Sequence, residues 1–217
     1  MAWTNPTTAV AGSVLTASLW NSDVRDNSLM GNPVFTNEAA RDAVITVPVE
    51  GQRAYLTAPT VPTSTGATTF IPGGVQTIYN GTVWVCVTPV GAYTSAGGTL
   101  TSTSYTATLS GSPGTNPTAT LVTGTTALIS IRADMYNGTV GAYSLLSVAV
   151  SGAGVVAASD DYAIYHKNAI VDNQINYGTT FVLGGLTAGT NTFTLQYKVS
   201  SGTGTVGKRG ITVQGIA

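Results

Sequence analysis

GTNTFTLQYKVSSGTGTVGKRGITVQGI, residues 189–216, decides the fold class. Phe193, Leu195, Tyr197 and Val199 occupy every second position, with Thr192, Thr194, Gln196 and Lys198 between them. A period of two puts one set on each face of a β-strand, so one face is apolar and the other wet. After a Ser/Gly/Thr run, Ile211 and Val213 resume the alternation. An isolated hairpin is marginal in water. The chain upstream must therefore supply the rest of a sheet.

From about residue 93 onward the pattern is purely β. Candidate strands span 102–109, 118–123, 126–133, 143–151, 162–166, 178–184, 191–199 and 210–216. Gly111-Ser112-Pro113-Gly114, Asn116-Pro117, Gly124, Asn137-Gly138, Gly152, Gly184-Gly185 and Gly202 interrupt them with turn chemistry. Short strands at such spacing predict a sandwich or barrel. Eight of them fit an antiparallel jelly roll, which closes a two-sheet core with few open edges. No internal repeat or heptad pattern is present, which excludes a solenoid or a coiled-coil fibre.

The N-terminal part differs. Residues 1–14 have no clear period and predict an extended arm. A helix is expected from Ala17 to Met30. Thr16 would cap it, and Leu15 would staple onto Trp20. Trp20 and Val24 share a face, and Gly31 and Pro33 supply the stop. A helix this short needs a surface to lie on. A second short helix is expected from Asn37 to Ala43, capped by Thr36 or Asn37, and a strand over Gln52–Leu56. Strands Gln76–Tyr79 and Thr82–Val87 flank Asn80-Gly81, a dipeptide suited to a type I′ hairpin turn. Tyr79 and Trp84 bracket that turn and predict cross-strand packing.

The chain has 217 residues, enough to bury a sizeable core. Only 8% of them are charged, and the net charge is −1. The usual charged share is about a quarter. Between Ala54 and Ile131 there is no charged residue. Nucleic-acid binding normally needs clustered Lys and Arg and is not expected. No apolar run approaches the roughly 20 residues of a membrane span. No basic-then-apolar leader appears, so Sec-type export is not expected. A long neutral Thr- and Gly-rich chain would aggregate through free edge strands. It predicts edges closed within a sandwich or covered by further copies.

Ionisable groups are scarce. The single Cys86 rules out an internal disulfide and predicts a buried structural thiol. The one histidine, His166, has no nucleophile-elbow signature beside it and is expected at a strand end on the surface. Asp160-Asp161 and Asp172 are the acid groupings of the C-terminal half. The run from Asp172 resembles a calcium loop but has Tyr177 where glycine is needed and Leu183 where the loop ends in Glu. Gly202 to Lys208 satisfies both G-x-G-x-x-G and G-x-x-x-x-G-K. Arg209 then replaces the Ser or Thr that would hold magnesium, and a strand follows in place of a helix. A flexible glycine-rich hairpin loop is the expected reading. Asn80-Gly81-Thr82 and Asn137-Gly138-Thr139 are formal glycosylation sequons, better read as turns. No paired-carboxylate or nucleophile cluster is legible, so no enzyme, cofactor or metal is expected. The cluster Tyr136, Tyr143, Tyr162, Tyr165 and Tyr177 could line a carbohydrate-binding surface, since Tyr combines a flat apolar face with a polar tip. Tyr136, Tyr162 and Tyr165 are the candidate ligand residues.

Several runs resemble small virion proteins of tailed bacteriophages, of the minor-tail, tail-fibre and head-fibre or decoration kinds. These runs are Trp3-Thr4-Asn5-Pro6, Val14 to Ala17, Leu19 to Asn21 and Arg25-Asp26-Asn27. Pro33-Val34-Phe35, Ala39 to Ala43, Pro48 to Gly51 and Tyr55-Leu56-Thr57 resemble a small element of phage fibres that ends in a Tyr-Asn-Gly-x-x-Trp hairpin, here Tyr79 to Trp84. Leu186 to Gly189 and Phe193 to Tyr197 resemble phage jelly rolls and, more distantly, C1q/TNF-type trimeric domains. The resemblance implies a homotrimer on the particle surface, made in the host cytoplasm. Residues 1–47 would attach to capsid or tail proteins, 48–92 would form a hairpin neck, and 93–217 a projecting jelly-roll head. Trp3, Leu15, Leu19, Trp20, Val24, Tyr79 and Trp84 would carry attachment or trimer contacts. A host cell-surface glycan is the alternative partner, in a receptor-binding role.

Overall fold

The computed structural model describes Thr16, residues 31–170 and residues 173–217. The expected helix over 17–30 and the attachment residues Trp3, Leu15, Leu19, Trp20 and Val24 lie outside the described residues. The fold is mainly β, with one described α-helix and sheets that are antiparallel except where Val34–Phe35 runs parallel to Arg53–Leu56.

The strands are β1 (Val34–Phe35), β2 (Arg53–Leu56), β3 (Thr63–Thr65), β4 (Thr68–Phe70), β5 (Val75–Tyr79), β6 (Trp84–Cys86), β7 (Val90–Thr94), β8 (Gly98–Leu100), β9 (Thr118–Thr123), β10 (Thr126–Asn137), β11 (Tyr143–Gly152), β12 (Ile164–Lys167), β13 (Ile175–Gly184), β14 (Gly189–Val199) and β15 (Gly204–Ile216). Helix α1 is Glu38–Val44. A six-stranded sheet runs β13-β10-β15-β7-β4, with β8 also on β15. A five-stranded sheet runs β12-β11-β14-β9-β3. A third, four-stranded sheet runs β1-β2-β5-β6.

The alternation places the core between the two large sheets. Phe193, Leu195, Tyr197 and Val199 on β14 are buried against Val206, Ile211 and Val213 on β15 and Ile129, Ile131 and Met135 on β10. Each fully buried side chain of this kind contributes about 1.5–3 kcal/mol. The same cluster takes in Leu56, Val75 and Cys86, so the small sheet shares the sandwich core. Its contact with β15 is close. A Cβ at Gly215 would lie 2.6 Å from Val85 Cγ1.

Strands β9 to β15 fall where strands are expected. Residues 102–109 do not form one. There the chain meets β14 through an isolated bridge between Thr106 and Tyr197 and a bond from Val199 N to Ser102 O at 2.9 Å, with no continuous ladder. Side chains satisfy the backbone locally instead: Ser102 Oγ donates to Ser104 O at 2.6 Å, and Thr108 N donates to Thr106 Oγ1 at 3.1 Å. Such bonds compete with a sheet ladder.

The segment expected as a separate neck contributes to the sandwich. β3 pairs with β9, β4 with β7, and β7 with β15. β3, β4 and β7 lie within the charge-free stretch, and the first two add short, largely exposed strands to the sheets. The Asn80-Gly81 turn is also longer than a type I′ turn. Pairing ends at Tyr79↔Trp84, leaving a four-residue connection. Asn80 Oδ1 accepts from Thr82 N at 3.1 Å and Val83 N at 3.0 Å. Only Gly81 of the pair has a positive φ, 89°. The Asn side chain builds the turn, so its backbone need not.

The short helix begins one residue later than expected. Asn37 is its cap, with Oδ1 accepting from Ala40 N at 3.0 Å.

Candidate functional site

The five-stranded sheet turns Tyr143 and Leu145 of β11, Tyr165 of β12 and Lys198 of β14 away from the core. Asp160 joins them from a 3-10 turn, Asp160–Tyr162, and Thr103 from the 101–110 loop. Together with Val199 and Ser200 they line a groove of about 480 Å³.

The walls are fixed from several directions. Ser147 Oγ donates to Ser159 O at 2.8 Å and ties the 3-10 turn to β11. Ser159 Oγ in turn accepts from Asp161 N at 3.2 Å and caps that turn. Lys198 Nζ lies 2.7 Å from Asp160 Oδ1 and 2.9 Å from Oδ2. The Tyr105 hydroxyl donates to Asp160 Oδ1 at 2.8 Å. The Lys198 ammonium also sits over the Tyr105 ring, 4.8 Å from its centre. Hydrogen bonds from Lys198 and then Tyr105 hold the Asp160 carboxyl below its ordinary range. Burial, and then the bond to Asp160, push the Tyr105 phenol up. Across the groove, Tyr143 and Tyr165 meet edge to face with centres 6.0 Å apart. Two bonds clamp the Tyr143 backbone to Ser200: Tyr143 N–H donates to Ser200 Oγ at 2.8 Å, and Ser200 N–H donates to the Tyr143 carbonyl at 3.0 Å. Tyr165 is 63% exposed.

The structure separates the tyrosines proposed for a ligand surface. Tyr165 lines the groove. Tyr162 stacks on Phe181, with centres 5.6 Å apart, at the edge of the core. Tyr136 lies on β10 in the opposite sheet, paired with Thr205. Tyr177 packs on His166. Tyr143, Asp160 and Lys198 complete the groove. Asp160 and Lys198 stand 38 residues apart in sequence, so no local pattern announces them. Tyr79 and Trp84 pack on each other at 5.5 Å, and Trp84 is buried in a small core with Ile45 and Ala54. The Arg41 guanidinium lies 4.6 Å from the Trp84 ring centre.

The remaining chemistry-bearing residues are structural in their surroundings. His166 is buried, not on the surface, because Ile164 and His166 share the inward face of β12. Its Nδ1 lies 3.0 Å from the Tyr177 hydroxyl, and its Nε2 has no partner. Cys86 is buried, its Sγ lies 3.6 Å from Thr88 O, and burial raises its thiol to about 11.

The Gly202–Lys208 stretch is a loop only as far as Thr203. Strand β15 starts at Gly204, and Lys208, at φ 44°, forms a bulge opposite Ala133. No helix N-terminus follows it, so the phosphate motifs have no cradle. Asp172 lies outside the described residues. Its neighbours Gln174 and Asn176 donate to Asp134. Among the described residues, no three His, Cys, Asp or Glu side chains gather as a metal site. No described helix is long and apolar enough to cross a membrane.

No family model matches the chain, and no curated protein does. Among solved structures it is similar to that of Eiger TNF from S. frugiperda. The match has 10% identity and a TM-score of 0.39, and covers 57% of this chain and 87% of that one.

Proposed function

We propose that this chain is a non-enzymatic structural protein of a tailed-phage particle that works as a multi-copy, trimeric assembly. In this reading the sandwich is a jelly-roll head and the N-terminal segment attaches it to capsid or tail proteins. The observation that carries the assembly reading is the outer face of the six-stranded sheet. Phe70 is 49% exposed, Val182 56% and Ile216 41%, on a face otherwise made largely of Thr, Ser and Gly. Arg132, at its centre, is laid over the Tyr93 ring at 4.7 Å, and Asp134 and Lys208 on the same face pair with each other at 3.0 Å. A shallow hollow of about 170 Å³ lies beside that pair, lined by Phe70, Ser130, Gly210 and Thr212. A face whose few charges are engaged within the chain and whose apolar side chains are exposed suits a second copy. The virion setting rests on the resemblance of the N-terminal runs.

Sedimentation equilibrium at micromolar concentration tests the assembly, with a trimer mass expected. Phe70→Glu combined with Val182→Glu should release folded monomers. A wild-type monomer at that concentration would sink the reading. Deleting residues 1–30 should leave a folded trimer that no longer enters particles. Normal incorporation of the truncated protein would remove the attachment role.

A further inference from the structure

We propose that the groove between Tyr143, Tyr165, Asp160 and Lys198 is a binding site for a neutral sugar ring. The proposal is independent of the assembly reading, which concerns the opposite face of the sandwich.

Charge comes first. Lys198 and Asp160 neutralise each other in a contact of 2.7 Å, and a further cation beside the groove, Lys167, has its ammonium 5.3 Å from the centre of the Tyr143 ring. An anion would meet the Asp160 carboxylate and a cation the Lys198 ammonium. Hydrogen-bonding capacity comes second. An ammonium carries more donors than its two contacts to Asp160 use. A carboxylate that accepts from Lys198 and from Tyr105 still has acceptor positions left on Oδ2. A spare donor and a spare acceptor therefore stand side by side, both charge-assisted. Adjacent hydroxyls on a sugar ring can each donate and accept, and meet both at once.

Shape and pre-organisation come third. The exposed Tyr165 ring and the Tyr143 ring set at 62° to it form an aromatic corner, with Leu145 beneath. The carbon-bound face of a pyranose is apolar and flat, and packs on such a surface. At about 480 Å³ the groove is large enough for one or two rings. Its polar groups are already held by the Ser147–Ser159 and Tyr105–Asp160 bonds, so little ordering is needed on binding.

The test is saturation-transfer NMR on the full-length chain. The probes are methyl glucoside, methyl galactoside, methyl mannoside and N-acetylglucosamine at millimolar concentration, with N-acetylneuraminic acid as the anionic probe. Transfer is expected to the ring protons of at least one neutral sugar. Tyr165→Ala should weaken that binding by about tenfold or more, and Lys198→Met should weaken it too. Tyr136→Ala, on the other sheet, should leave it unchanged. Because the Tyr165 side chain is mostly exposed, its removal should not unfold the protein; circular dichroism and melting temperature check this. No transfer to any neutral probe would overturn the proposal. So would transfer that Tyr165→Ala leaves intact, or transfer to the anionic probe alone.

Discussion

The guanidinium carbon of Arg209 lies 5.7 Å from the ring centre of Tyr197, and no carboxylate of the described residues pairs with it. Arg209 is 1% exposed. Its Nη1 donates to Ala96 O at 2.6 Å and its Nη2 to Pro113 O at 2.7 Å, while Nε has no partner. The Tyr197 hydroxyl donates to Asn116 Oδ1. A buried cation thus fastens both ends of the 96–113 connection to the sandwich core. Replacing it with Met removes a costly buried charge and also orphans two carbonyls. Bonds from a charged donor are the stronger ones, so a loss on the order of 2 kcal/mol is expected. Urea titration should show a lower midpoint for Arg209→Met. Hydrogen exchange should rise first across residues 95–116. An unchanged midpoint would mean that the connection is held by something other than the guanidinium.

Asp134 makes stability pH-dependent. Burial alone would raise its carboxyl, but bonds from Asn176, Lys208 and Gln174 outweigh this and hold it below the ordinary range. A depressed folded value means the contribution is complete above the unfolded carboxylate value, about 4. It is lost as pH falls through the folded value. Asp134→Asn should therefore lower the melting temperature at pH 7 and flatten its fall below pH 4. Parallel acid limbs for variant and wild type would contradict this.

Cys86 should stay silent in the folded protein. Its thiol is buried and lifted to about 11, so little thiolate is present at neutral pH. With a disulfide reagent at pH 8, reaction is expected only after denaturant is added. Prompt labelling of the native protein would show that the core around β6 opens.

Two glycines provide a matched pair. A Cβ at Gly91 would lie 2.3 Å from Ile211 O, whereas one at Gly73 would meet nothing within 4 Å. Gly91→Ala forces β7 off β15 and should cost about 1–3 kcal/mol or more. Gly73→Ala should be close to neutral. Equal melting temperatures for the two variants would refute this account of the β7–β15 approach.

The strands were legible where one face is buried. Phe193 to Val199 alternate cleanly, and β14 follows them. Legibility failed where side chains or bulges intervene. Ser102 and Thr106 bond their own backbone, so an alternating stretch makes no strand. Val206 and Arg209 both point inward although an odd number of positions separates them, because the Lys208 bulge shifts the phase between them. Arg209 therefore looks like part of a wet, glycine-rich loop in the sequence and is buried in the fold. His166 is a polar residue near a strand end, which in the sequence reads as solvent-facing; the parity it shares with Ile164 puts it inside.

By itself the sequence determined that this chain makes sheets with one apolar face, because alternation at period two is a local property of the backbone. Only the tertiary structure decided which outward residues meet. Tyr105, Asp160 and Lys198 converge because β11, β14 and the loops that cover them are neighbours in space. That adjacency is set by strand pairing across long stretches of chain, which no short window of residues encodes.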